Sequence, residues 1–80
     1  LLRRTLRITS PVRDSVLFRA LVGKIEREKE GVFATPELRL KILDGQPRLR
    51  EGREGNVELI IELSLKKGKS EFVFDYEALR

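Results

Sequence analysis

Carboxylates are the most plentiful groups in this chain that could do chemistry, and their spacing argues against catalysis. Glu58 and Glu62 stand four apart in an alternating segment, which on one strand face separates their Cα atoms by about 13 Å, too far for an acid–base dyad. Set opposite Arg39 and Lys41 on a neighbouring strand, such groups form a surface ion ladder instead, each pair contributing about 0.2–1 kcal/mol. Ser10, Ser15, Ser64 and Ser70 have no histidine to activate them, and Lys24 belongs to no serine–lysine motif. The chain has no His, Cys, Met or Trp, so imidazole bases, thiolate nucleophiles and soft-metal ligand sets are all missing. Asp44-Gly45 offers one carboxylate where a calcium loop needs several. Gly52 and Gly55 lack the strand–helix context of a phosphate-binding loop. No catalytic residue, cofactor or metal is expected, and binding is the expected work.

The elements that would position a binding surface follow from periodicity. Leu2 to Thr9 alternates with Leu2, Leu6 and Ile8 on one side, as a half-buried strand does. Ser10-Pro11 then reads as a helix cap and first turn, predicting a helix from Pro11 to Glu30 that ends at Gly31. Its core stripe would be Leu17, Phe18, Leu21, Val22 and Ile25. Glu37 to Leu43 reads as a second strand, Asp44-Gly45 as a hairpin turn, and Gln46 to Arg50 as a short return held to an edge by Pro47. Arg50 to Gly55 reads as a mobile charged loop. Asn56 to Leu65 is the clearest element, a central strand with Val57, Leu59, Ile61, Leu63 and Leu65 on one face. Lys66 to Lys69 would turn it into a partner carrying Phe72, Phe74 and Tyr76. Asp75 to Arg80 reads as a second helix beginning, and with no initiator Met the chain reads as an excised piece. The fold class expected is α+β: a two-layer sandwich of one helix on a four- to five-stranded, mainly antiparallel sheet, in the order β-α-β-β-β-β within a single domain.

Two kinds of surface could then bind. Residues 1–24 hold six basic groups against Asp14 alone, a charge of +5, while the remaining 11 basic and 12 acidic residues give −1. On the predicted helix, Arg13, Arg19, Lys24 and Arg27 would line the outer face; with Arg48, Arg50 and Arg53 in the charged loop they form a candidate RNA- or ribosome-binding surface. Val16, Ala20 and Gly23 would make a small-residue track on the same helix, and a mid-helix glycine costs about 1 kcal/mol relative to alanine unless something approaches closely. Leu43, Ile60 and Val73 would form an apolar spot on the outer face of the sheet. These six are the candidate protein interface. The leading expectation is a non-enzymatic interaction or assembly module, acting through a sheet face, a sheet edge or the helix face on a protein partner or a second copy. RNA binding is the alternative.

The composition has 38% charged residues with a single Asn and a single Gln, a bias found in thermophile proteins. With no cysteine and no apolar run long enough for a bilayer, the expected setting is cytoplasmic, away from membranes. In order of elements, Leu6-Arg7-Ile8-Thr9, Leu17 to Lys29, Val57 to Ile61 and Tyr76-Glu77-Ala78 resemble the N-terminal domain of ribosome hibernation factors. Gly31-Val32 and the strands after it are similar to the layout of alkaline shock proteins. Ser10-Pro11 replaces the glycine that follows the first strand in hibernation factors, and neither resemblance assigns a role to any residue.

Overall fold

A computed structural model describes residues 2–79. They form eight strands: β1 (Leu2–Ser10), β2 (Asp14–Gly23), β3 (Glu26–Lys29), β4 (Val32–Ala34), β5 (Leu38–Ile42), β6 (Gln46–Glu51), β7 (Val57–Leu65) and β8 (Gly68–Ala78). A 3-10 turn at Arg53–Gly55 is the one helical element among them. Every neighbouring pair is antiparallel, in a five-stranded sheet ordered β1-β8-β5-β4-β3 and a three-stranded sheet ordered β2-β7-β6. The expected α+β class is therefore wrong: the protein is an all-β sandwich. The layouts it resembled in order of elements fall with the helix.

The segment from Pro11 to Glu30 deceives for a physical reason. A β-bulge between Arg19 and Leu21 leaves Ala20 as an extra residue, so the side chains facing β7's core row are Val16, Phe18 and Leu21 while Leu17, Arg19 and Val22 face out. Two faces shifted in this way interleave into the i, i+3, i+4 spacing that imitates a helix stripe. The residues themselves, Val16-Leu17-Phe18 and Leu21-Val22, suit a pleated surface. Ser10 does not cap a helix; its hydroxyl donates to the Val12 carbonyl at 2.6 Å and stabilises the corner between β1 and β2. Gly23 closes β2 at φ +141°, outside the helical region altogether. The second expected helix does not begin at Asp75 either, because β8 continues through Ala78; Arg80, the last residue of that expectation, lies outside the described residues.

Both expected hairpins are corners instead. β5 pairs with β4 and β8, β6 pairs with β7 alone, and the Asp44-Gly45 turn carries the chain from one sheet to the other. Lys66-Lys67 does the same between β7 and β8. Gly45 sits at φ +99°, and a Cβ placed there would lie 2.5 Å from Ile61 Cγ2 and 3.0 Å from Leu63 Cδ2. The turn is thus pressed onto the β7 core row.

Between the sheets, Leu59, Ile61, Leu63 and Leu65 of β7 meet Phe72 and Phe74 of β8, Leu40 of β5, Phe33 of β4 and Leu21 of β2. Phe18 packs on Phe74 with ring centroids 5.4 Å apart, and the Arg4 guanidinium lies 5.4 Å from the Phe18 ring on its other contact. β1 and β2 therefore face each other across one side of the sandwich, each an edge of its own sheet.

Candidate functional site: the open edge of the small sheet

A sandwich of two open sheets has four edges, and three are guarded in recognisable ways. β3 is four residues long and entirely charged, Glu26-Arg27-Glu28-Lys29. β6 carries Pro47, Arg48, Arg50 and Glu51, and β1 carries Arg3, Arg4 and Arg7. Short length, proline and charge all discourage pairing with another chain. β2 differs. It is ten residues long, and between Ser15 and Gly23 its only charged side chain is Arg19. Leu17 is 56% exposed and Val22 50%, both on the outer face beside Arg19.

Register sets what surrounds Arg19. Across β7, Leu17 stands opposite Glu62, Arg19 opposite Ile60 and Val22 opposite Glu58; on the far side of β7, Arg48 stands opposite Ile60 and Arg50 opposite Glu58. Glu58 is shared. Arg19 Nη1 donates to its Oε2 at 3.0 Å, while Arg50 Nε donates to Oε1 at 3.0 Å and Arg50 Nη2 lies 2.8 Å from the same oxygen in a salt bridge. The hydrogen bonds from Arg50 and then Arg19 hold the Glu58 carboxyl below the usual carboxylate range. Only 15% of the Glu58 side chain is exposed, against 62% for Arg19, so the acid is covered by cations that themselves reach solvent. Arg53, on the 3-10 turn, completes a groove of about 730 Å³ with Arg19, Val22, Arg50, Asn56 and Glu58.

The structure thus brings Arg19, Arg48, Arg50 and Arg53 to the outer side of the small sheet. Three other basic candidates lie elsewhere: Arg13 in the β1–β2 corner, Lys24 in the β2–β3 link and Arg27 on β3, where it shares a cleft with Phe33, Leu43, Pro47 and Arg48. The small-residue track does not exist as a helix face. Val16 stands in register with the core residue Leu63 yet is 36% exposed, Ala20 is the bulge residue and Gly23 ends the strand. Leu43, Ile60 and Val73 do not share a surface either: Ile60 is on the small sheet, Val73 on the large one, and Leu43 at the corner between them. Ile60 is only 2% exposed despite facing outward; Arg19 and Arg48 flank it in register, and long arginine stems cover apolar neighbours in this way.

Sequence reasoning missed β2 as an edge, and with it Leu17 and Val22, which had been placed in a helix core stripe. The run of β-branched and aromatic residues ending in glycine was the available signal. The outer face of the large sheet is an ion ladder, Arg3 with Asp75 at 2.8 Å, Arg7 with Glu71 at 3.0 Å, and Arg39 with Glu28 and Glu77 at 2.7 Å each. No group of three carboxylates among the described residues is arranged to hold a metal ion.

The molecule belongs by architecture to the small antiparallel β-sandwiches. Comparison with protein-family models, curated proteins and solved structures finds no match to the chain, so its own surface has to carry the functional argument.

Proposed function

We propose that this chain is a non-enzymatic interaction module that takes up an extended, acidic segment of a partner protein as an added strand along β2. The observation that carries the reading is the β2 edge, guarded only by its bulge at Ala20 and by Arg19, in a molecule whose other three edges are short, heavily charged or interrupted by proline. An edge strand presents alternate N–H and C=O groups to whatever lies beside it, and an incoming strand satisfies them while its side chains select for sequence. Charge supports an acidic occupant: the six basic groups of residues 1–24 fall on β1, β2 and the segments flanking them, and although Arg3, Arg7 and Arg19 pair with Asp75, Glu71 and Glu58, Arg4, Arg13 and Lys24 are in no salt bridge among the described residues. Such a field speeds encounter with anions and repels basic competitors.

A library of nine-residue segments displayed and selected on the whole protein tests this. Recovered sequences are expected to be strand-forming and acidic, and the double variant Leu17→Lys, Val22→Lys, which guards β2 as β3 is guarded, is expected to lose them while keeping its thermal transition. Recovery of neutral or basic segments, or binding that survives the double variant, defeats the reading.

The shared face of Arg19, Arg48, Arg50 and Arg53 favours RNA backbone binding as a second reading. Against it, Phe33, Phe72 and Phe74 are buried, and Phe18 packs at a tilt against Phe74 with the Arg4 guanidinium beside its ring, which leaves no phenylalanine ring free for base stacking. Titration of labelled RNA at two salt concentrations separates the two; steeply salt-dependent binding supports RNA.

A further inference from the structure

We infer that the segment added to β2 carries the pattern apolar–x–acid–x–apolar, with its acid taking Arg19 away from Glu58. This rests on the docking of a partner strand at β2 proposed above and states what that partner must look like. β7 shows how a regular strand lies against the bulged β2: Glu62, Ile60 and Glu58, spaced two apart, stand opposite Leu17, Arg19 and Val22. A strand on the open side meets the same three outward side chains. If it spans the bulge as β7 does, its outward residues also fall two apart, the middle one opposite a guanidinium and the outer two opposite exposed apolar groups. Directly opposed residues on one face are close enough to pair, which sets an acid against Arg19 and apolar side chains against Leu17 and Val22. The pattern reads the same in either chain direction.

Glu58 meanwhile occupies the place of the incoming carboxylate. It engages Arg19 through one N–H, Nη1, and keeps Arg50 through the Nε hydrogen bond and the Nη2 salt-bridge contact. Arg19 can be given up without leaving Glu58 unpaired. A second copy of the chain does not meet the requirement. Antiparallel self-pairing about a two-fold axis sets outward residues against outward residues, and on β2 before the bulge these are Ser15, Leu17 and Arg19, none of them acidic.

Three acetylated and amidated peptides test the inference against the isotopically labelled whole chain: Thr-Val-Thr-Glu-Thr-Val-Thr, the same with Gln for Glu, and Thr-Val-Glu-Thr-Thr-Val-Thr, which moves the acid to the opposite face at equal charge. The first is expected to perturb β2 amide resonances and bind at least fivefold tighter than either control. Glu58→Gln is expected to tighten binding of the first peptide at least twofold and leave the Gln peptide unchanged, whereas Arg19→Gln abolishes the preference between them. Equal binding of all three at β2 overturns the pattern while leaving edge docking intact. No perturbation of β2 by any peptide overturns edge docking itself.

Discussion

Glu58 is reached by guanidiniums from the strands on both sides of its own, and this couples the small sheet to pH. Its carboxyl, like those of Asp75 beside Arg3 and Glu28 beside Arg39, is held below its ordinary range by hydrogen bonds from arginine. In each case the unfolded chain binds protons more readily than the folded one, so stability rises with pH across the carboxylate range. The contribution is complete above about pH 5 and is lost as pH falls through about 4 and below. Denaturant midpoints measured between pH 6 and 3 are expected to decline, and Glu58→Gln to decline less steeply than the parent chain. Among the described residues Glu54 is the one non-glycine residue with a left-handed backbone, at φ 56° and ψ 38°. Glu54→Gly is expected to stabilise by about 0.5 kcal/mol in thermal melts, since the replacement relieves that conformation but frees the unfolded chain as well. The sequence shows which side chains are charged. It does not show that Arg19 and Arg50 meet around one acid, because that depends on β2 and β6 flanking β7, a pairing of segments far apart in the chain.

At the scale of elements, strands were legible where alternation was clean and uninterrupted. β1, β5, β7 and β8 stand close to where periodicity put them, and β6 is the edge that Pro47 implied. β2 was not legible because one extra residue shifts the period, and β3 and β4 are too short to show one. The corners were misread because a glycine turn between alternating segments looks the same whether the chain pairs back or crosses to another sheet. Gly45 and Gly23 separate the two demands placed on such turns. Gly45→Ala adds a Cβ against Ile61 and Leu63 at a positive φ, so it combines strain with overpacking and is expected to cost about 2–4 kcal/mol. Gly23→Ala meets nothing within 4 Å and bears only the backbone term, about 1 kcal/mol. Urea unfolding of both variants checks the ranking; equal losses would mean that the β5–β6 corner is not packed as described.

Across the whole molecule, the radius of gyration is 13.2 Å and the extents are 38 × 28 × 18 Å, a flat body compared with the roughly 11.6 Å expected for a compact chain of this length. Each sheet is closed by strands remote in sequence, Leu2 against Tyr76 in one and Asp14 against Leu65 in the other. Refolding is therefore expected in the millisecond-to-second range, as for other all-β topologies, and not in microseconds; stopped-flow fluorescence of Tyr76 measures it. The flatness multiplies edges relative to core, which brings the bulge in β2 back into view. Ala20 can be deleted without turning any residue over, because Arg19 would still face out, Leu21 in and Val22 out. What would vanish is the local twist. A straightened β2 would offer neighbouring molecules a flat apolar border, and deletion of Ala20 is expected to keep the fold but make concentrated solutions cloud on standing, as static light scattering would record. One residue inserted in a strand thus keeps a surface built for docking from making the protein insoluble.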